Sequence, residues 1–249
     1  MGKLFLLLVS GVTLFALSNQ EVAQKSDTAM SGFEDALATM EMTLINAGGQ
    51  KRSRTMKMKV LEGESGDKSL MEFLSPADVK GTKFLSYEHI DKDDDQWLYL
   101  PALKRVKRIA SKNKSGSFMG SEFSYEDLSA FNMAKYRYEG DAQEVTFEGR
   151  KMYRSERVPV SKYSGYTKQV SWADAQEYLV WKVEYYDRKR EHLKTALFSD
   201  YRQVDGVWRI GKIRMKNHQN SKESILVWKE ETIKNGLKDR DFHKRVLKK

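Results

Sequence analysis

Apolar and polar side chains alternate with a period of two along most of the chain after residue 39. Residues 40–44 and 55–60 are the clearest of these runs, with Met, Leu or Val on one face and Glu, Thr or Lys on the other. Such alternation is typical of antiparallel strands that have one buried and one solvated face. Because the turn Asn-Ala-Gly-Gly at 46–49 separates the two runs, they are predicted to form a hairpin.

The same alternation predicts further strands, which end at turns rich in Gly, Asp or Asn. These strands cover residues 70–74, 82–87, 96–100, 105–110, 144–147, 153–158, 168–172, 178–186, 192–200, 207–216 and 224–229. Only residues 28–38 favour a helix, because Met30, Phe33 and Leu37 recur at spacings of three and four. About eleven to thirteen strands and one helix result, and because strands and helices do not alternate, the pattern argues against a doubly wound α/β fold.

An antiparallel sheet of this size must protect its edges, and curling into a barrel or half-barrel is the usual solution. We therefore expect a mainly β fold, an incomplete antiparallel β-barrel of about eleven strands, with a helix that covers the open mouth or fills the interior. Its concave apolar surface could hold a ligand. Five methionines on strand faces are candidates for the cavity lining, although core filling is the alternative. They are Met40, Met42, Met56, Met58 and Met71.

The first eighteen residues have the pattern of an export signal. Lys3 precedes an uncharged, mostly apolar stretch at 4–17, and Ala16 and Ser18 place small residues where a signal peptidase recognises them. We expect cleavage near Ser18 and an exported mature chain. An uncleaved anchor is the alternative, but about fourteen residues are fewer than the roughly twenty that a bilayer-spanning helix needs.

Composition narrows the class of protein. The chain has 249 residues, no cysteine and a formal net charge of +9 at pH 7. Without cysteine it cannot carry the lipid of a bacterial lipoprotein or form disulfides, so burial must stabilise the fold. The length after the signal fits one large β domain over residues 19–249, with two small domains as the alternative. The positive charge favours anionic partners such as lipid head groups or membrane surfaces, and export makes nucleic acid the least expected.

The segment at 91–129 has the most unusual sequence. Six basic residues lie between 104 and 114, and the predicted hairpin on either side of Pro101 carries bases on both faces. Charges on a buried face would cost several kcal/mol each unless they were paired, so the hairpin lies at a sheet edge or lines an accessible cavity. Its candidate binding residues are Trp97, Tyr99, Arg105 and Arg108. The two arginines are favoured for anionic head groups, because guanidinium groups match phosphate and carboxylate geometry. The alternative is that these basic side chains are solvated and protect an edge strand from aggregation.

The loop that follows, at 115–128, combines small residues with apolar side chains. Phe118, Met119, Phe123 and Tyr125 stand where a loop is usually polar, which suggests a lid or a docking surface for cargo or a partner. The alternative is a loop folded over the core, with its aromatic side chains buried and its carboxylates capping a short helix.

Enzymatic chemistry has little support. The four histidines, His89, His192, His218 and His243, have no metal-binding spacing. The sequence contains no nucleophile elbow and no phosphate-binding loop, so we predict no catalytic residues, no metal and no cofactor. The basic residues 238–249 are expected to form either a short amphipathic helix at a membrane surface or a solvated tail.

The chain resembles the LolA-like outer-membrane lipoprotein-sorting proteins, in particular the exported group associated with RND-type transporters. The motifs that carry this resemblance are QWLYLPALKRV at 96–106, GSFMGS at 116–121 and FSYEDL at 123–128. Supporting matches lie at 40–44, 73–82, 164–166 and 183–187. The resemblance therefore spans nearly all of the expected mature chain.

This resemblance implies an incomplete antiparallel β-barrel with helical cover, whose interior shields acyl chains in transit through the periplasm. It implies a chaperone-like carrier of a lipoprotein or lipid in outer-membrane biogenesis, with transient membrane contact and an inner-membrane RND-type transporter as a possible partner. Fold similarity does not fix function, so an adaptor for such a transporter, without cargo of its own, is the alternative. A hydrolase of an envelope polymer is a further alternative.

Overall fold

The computed structural model describes residues 16–248. Most of the predicted export signal, residues 1–15, therefore lies outside the described residues. One α-helix, α1 (Asn19–Met30), comes first among the described elements. No helix among the described residues combines the length and apolar character needed to cross a membrane.

Antiparallel strands make up most of the described chain. They are β1 (Asp35–Ile45), β2 (Lys51–Leu61), β3 (Lys68–Ser75), β4 (Lys83–Tyr87), β5 (Asp95–Leu100), β6 (Arg105–Ile109), β7 (Tyr136–Arg137), β8 (Gln143–Phe147), β9 (Arg150–Pro159), β10 (Tyr166–Asp174), β11 (Val180–Asp187), β12 (His192–Ser199), β13 (Arg202–Val204), β14 (Val207–Arg209), β15 (Lys212–Asn217) and β16 (Glu223–Ile233). The predicted mainly β fold is confirmed.

Fourteen of these strands form one open sheet, while β13 and β14 form a separate hairpin. The order is β6-β5-β4-β3-β2-β1-β16-β15-β12-β11-β10-β9-β7, and β8 pairs with β9. The two halves of the sheet meet where β1 pairs with β16, with Met40 opposite Trp228. Since β6 does not pair with the β7 and β8 end, the sheet is an incomplete barrel, as predicted.

The predicted helix at 28–38 is wrong in position. Helix α1 begins after Ser18, whose hydroxyl accepts a hydrogen bond from the Glu21 amide while the Glu21 carboxylate accepts one from the Ser18 amide. This capping box fixes the start of the helix at Asn19, nine residues before the start that the apolar spacing predicted. Gly32 has a φ of 88° and Glu34 a φ of 60°, which prevents the helix from continuing. Leu37 therefore belongs to β1.

One predicted strand is also divided. Residues 207–216 form β14 and β15, because the chain turns at Gly211. A Cβ at this glycine would lie 2.2 Å from the Asp200 carbonyl oxygen, so only glycine allows the two backbones to approach this closely.

Two apolar clusters lie on opposite faces of the sheet. The larger, concave cluster contains Met40, Met42, Met56, Phe73 and Phe84, among others. The outer cluster is formed by side chains of β3 to β5 together with the C-terminal segment 239–248.

The C-terminal segment is neither a short amphipathic helix free to lie on a membrane surface nor a solvated tail, so both expectations for it are wrong. It forms two short 3-10 turns, Asp239–Phe242 and Lys244–Lys248. Phe242 and Leu247 are completely buried beside Trp97 and Leu85 on the outer face of the sheet. Burial of Phe242 and Leu247 therefore determines where this segment lies, whereas both expectations rested on its basic charge pattern.

Candidate functional site

A cavity of about 730 Å³ lies over the concave face of the sheet. One wall is mainly apolar: alternate residues of neighbouring strands point to the same side, and apart from Ser69 and Ser86 those on β1 to β4 that line the cavity carry apolar side chains. This wall contains Met40, Met58, Val60, Met71, Phe84, Ile213, Leu226 and Trp228 from β1 to β4, β15 and β16. The volume is within the range of pockets that enclose small ligands.

The opposite wall, formed by β9 to β11, is more polar. Arg157, Gln169, Ser171 and Tyr185 line the cavity there. The Arg157 Nε donates to the Gln169 side-chain oxygen across the β9–β10 pair, at 2.8 Å. The cavity is therefore amphipathic, with hydrocarbon side chains on one wall and hydrogen-bonding groups on the other.

Helix α1 covers the polar wall. Its first turn is fixed to the sheet by Asn19, whose amide donates to the Glu139 carbonyl at 2.6 Å and whose oxygen accepts from the Glu156 amide at 3.0 Å. Val22 packs against Ala142 and Ala173 on one side of the helix. Further along, Ala23, Ser26, Asp27 and Met30 line the cavity. Of the two roles expected for the helix, covering the open mouth or filling the interior, α1 provides cover for the cavity at its observed position.

The loop at 115–128 is folded onto the core. Phe118 is 0% and Phe123 2% exposed, and the Phe118 ring contacts those of Phe73 and Phe84. Ser124 caps the short turn Tyr125–Leu128 in a capping box with Asp127. Of the two interpretations of this loop, the structure shows the one in which aromatic side chains are buried and a carboxylate caps a turn.

A buried ion pair anchors this loop to the sheet. The Lys194 Nζ lies 2.5 Å from an Asp127 carboxylate oxygen, with side-chain exposures of 4% and 3%. The same carboxylate accepts from the Tyr166 hydroxyl at 2.7 Å and the Ser124 amide at 2.6 Å. Lys194 also donates to the Glu122 carbonyl at 3.0 Å. The Asp127 carboxylate thus accepts three hydrogen bonds and the Lys194 ammonium group donates two, all within the protein.

Carboxylates concentrate at the cavity rim near β3 and β4. Burial, followed by the charges of Glu88 and Glu62, raises the pKa of Asp67 to about 7. Burial also raises the pKa of Glu88 and of Asp27, the latter with a contribution from Glu62. Lys135 offsets part of this charge, since its Nζ lies 3.1 Å from Glu88 and 2.6 Å from Asp94.

The methionines that the sequence predicts as cavity lining fall into two groups, those that reach the cavity and those buried beyond it. Met40, Met58 and Met71 line the cavity. Met42 and Met56 are fully buried in the concave cluster and are not among the lining residues, because the covering loop fills that end of the sheet.

The predicted binding residues are not brought together. Trp97 and Tyr99 lie on the outer face, where the C-terminal segment covers them. Arg105 and Arg108 are exposed on the edge strand β6, and Arg108 pairs with Asp95. In the loop, Phe123 lines the cavity, while Phe118, Tyr125 and Met119 pack within or against the concave cluster. Only Phe123 of these eight residues therefore faces the cavity.

Sequence reasoning missed the polar wall. The signal was available in the alternation of β9 and β10, where Ser155, Arg157, Gln169 and Ser171 occupy alternate positions that face the same side. Polar residues on the concave face of a strand are unusual and indicate a binding function. Among residues 16–248, no group of three or more His, Cys, Asp or Glu side chains is arranged to hold a metal ion.

Comparisons with known proteins agree with this architecture. A family model described as an uncharacterized protein matches residues 65–249. A domain from Vibrio parahaemolyticus, described as an outer membrane lipoprotein-sorting protein domain, is 48% identical, with a TM-score of 0.89 over 92% of this chain and 98% of that one. A DUF1329 family protein from Desulfovibrio piger is 30% identical, with a TM-score of 0.85 over 92% of this chain and 97% of that one.

More distant similarity extends to the fold alone. A LolA superfamily protein from Nitrosomonas europaea shares 16% identity, with a TM-score of 0.74 over 93% of this chain and 100% of that one. A search of curated protein sequences gives no match.

Proposed function

Because this chain belongs to the LolA-like family of outer-membrane lipoprotein-sorting proteins, we propose that it carries acyl chains of a lipoprotein or lipid in its concave cavity. The observation that carries the proposal is the cavity of about 730 Å³ with its wall of methionine, phenylalanine and aliphatic side chains. We further propose that transport takes place in the periplasm, towards the outer membrane. We propose no catalytic chemistry for the chain.

The energetics favour such a role for the apolar wall. Each methylene removed from water contributes about 0.8 kcal/mol, so about a dozen methylenes contribute roughly 10 kcal/mol. Met40, Met58 and Met71 suit this wall, since unbranched thioether side chains adjust to chains of different shape. Non-directional contacts of this kind bind hydrocarbon without selecting one chain length.

Partners of the carrier are part of the same proposal. We propose transient contact with a membrane surface and with an inner-membrane RND-type transporter that delivers cargo. The strand β6 supports such contact, because Arg105 and Lys107 are exposed on it beside Leu103, which is 62% exposed. Basic side chains beside an exposed apolar one favour an anionic membrane surface.

The test is lipid analysis of the protein purified from its native envelope. We expect mass spectrometry to detect acyl-chain compounds in stoichiometric amounts with the native protein. Met58→Trp should fill the cavity and abolish this cargo. Lys57→Trp, one position away on the exposed face of the same strand, is the matched control and should retain it.

Two results would contradict the proposal. One is native protein without lipid that copurifies with an RND-type transporter, which would favour the adaptor. The other is equal cargo in the Met58→Trp and Lys57→Trp variants, which would place the lipid outside the cavity.

A further inference from the structure

Arg157 differs from the other basic residues that line the cavity. Lys114, Lys135 and Arg209 each pair with a carboxylate, and Lys92 and Lys162 are exposed to solvent. Arg157 is half-buried on the polar wall and forms no ion pair within residues 16–248. It is therefore a partly desolvated cation that the protein does not neutralise.

The surroundings of Arg157 orient its guanidinium group. Gln169, which is 4% exposed, accepts from Nε at 2.8 Å. The Cζ atom lies 4.5 Å from the centre of the Phe131 ring and 4.8 Å from that of Tyr136. These contacts hold the guanidinium plane but involve neither terminal nitrogen in a hydrogen bond to the described residues. The group keeps up to four N–H donors for another acceptor.

A cation in this position has a physical requirement. Taking a charge out of water is costly unless an opposite charge or hydrogen-bond acceptors replace the lost hydration. Aromatic rings compensate only part of that cost. An oxyanion such as phosphate or carboxylate supplies both the charge and paired acceptors that match the guanidinium fork.

We propose that Arg157 binds the anionic head group of an amphiphile whose acyl chain lies along the methionine wall. This inference rests on the proposed carrier function and names the chemical class of its cargo, an acyl compound with a phosphate or carboxylate. The two walls of the cavity accommodate the two halves of such a molecule. A neutral acyl compound would use the apolar wall alone and leave the Arg157 charge unpaired.

A second polar group without a partner lines the same cavity as Arg157. Ser26 of α1 lines the cavity, and its hydroxyl oxygen is buried without a hydrogen-bond partner. Helix α1 packs on β9, the strand that carries Arg157. A buried hydroxyl without a partner is costly, and oxygen atoms of a bound head group or its ester would satisfy it.

The experiment measures binding of two matched probes to delipidated full-length mature protein by calorimetry. The probes are lysophosphatidylglycerol and a neutral monoacylglycerol with the same acyl chain, both below their micelle concentrations. We expect Arg157→Gln to weaken lysophosphatidylglycerol binding at least about tenfold, the lower bound for a lost charge-assisted hydrogen bond, and to leave the monoacylglycerol unchanged. Arg157→Lys should fall between the wild type and Arg157→Gln.

Arg154→Gln is the control, because Arg154 lies on the same strand but pairs with Glu156 outside the cavity lining. Circular dichroism of each variant separates lost binding from lost folding, and Arg157→Lys preserves the test if Arg157→Gln does not fold. Equal binding of both probes by wild type and both Arg157 variants would overturn the inference while the carrier function stands. Binding of neither probe by the wild type would overturn the carrier function itself. Inorganic phosphate that binds as tightly as lysophosphatidylglycerol would show a free-anion site and overturn the amphiphile assignment.

Discussion

Replacement of Asp127 by asparagine should destabilise the protein by about 3–5 kcal/mol, because it leaves the Lys194 charge buried without a counter-ion. The two side chains are almost completely buried and their charged atoms are 2.5 Å apart. Asparagine can still accept from Tyr166 or Ser124, so the loss is chiefly electrostatic. This pair fixes the loop at 115–128, and the destabilised variant should also expose the cavity.

The size of the effect can be separated from simple loss of contacts by a double-mutant cycle. Lys194→Met removes the buried cation but leaves the Asp127 carboxylate with only its neutral donors. The double variant Asp127→Asn with Lys194→Met should recover part of the loss, because neither charge remains. We therefore expect a coupling free energy well above the 1 kcal/mol that is typical of exposed pairs.

Urea unfolding followed by tryptophan fluorescence measures all four proteins of the cycle. Glu41→Gln is the matched control, since it makes the same carboxylate-to-amide change in an ion pair with Lys229 whose side chains are 38% and 54% exposed. That control should cost no more than about 1 kcal/mol. A loss below about 1 kcal/mol in Asp127→Asn, or strict additivity in the double variant, would refute the assigned role of the pair.

Two further predictions concern the cavity rim and the start of α1. Burial raises the pKa of Asp67 to about 7, above its ordinary 3.8, so the wild type loses stability as the pH rises between these values. Asp67→Asn should be nearest to the wild type in stability at about pH 4, and its advantage should grow up to about pH 7 and reach on the order of 2 kcal/mol at pH 8 in urea titrations. A difference independent of pH would contradict this. In a chain that retains residues 16–18, Ser18→Ala should cost about 1 kcal/mol and Ser18→Asp should not, since aspartate also accepts from the Glu21 amide. Equal melting temperatures of the wild type, Ser18→Ala and Ser18→Asp would exclude a role for the Ser18 cap in stability.

Strands were predictable because alternation reports directly which face of a strand is buried. Residues 40–44 and 55–60 pair within the β1–β2 hairpin, and the predicted turn between them is observed. The helix was not predictable in the same way. Helix α1 has few apolar residues, and its capping box with Ser18 and Glu21 spans the predicted cleavage position. A cleavage after Ser18 remains a prediction, and it would remove the N-cap observed for α1.

The strand face on which the methionines lie was predictable from the sequence, whereas which of them reach the cavity was not. Met56 and Met58 point to the same face of β2, yet only Met58 lines the cavity. The register places Met56 opposite Phe73, and the Phe73 ring contacts Phe118 of the covering loop. Depth therefore depends on a contact between segments more than forty residues apart, which periodicity within a strand does not encode.

The two sides of the cavity differ in how firmly they are closed, and this difference bears on how cargo enters. On one side, the loop at 115–128 is fixed by the Asp127–Lys194 pair and by aromatic side chains without solvent contact. On the other, residues 25–30 of α1 and Asp67 at the rim are partly exposed, and because burial raises the pKa of Asp67 to about 7, its ionisation near neutral pH weakens that rim. Opening the first side requires separating a buried ion pair, while displacing residues 25–30 of α1 separates contacts that are partly exposed to solvent and therefore cost less. We therefore expect cargo to enter beside α1, where the head group would meet Arg157 after the acyl chain has reached the methionine wall.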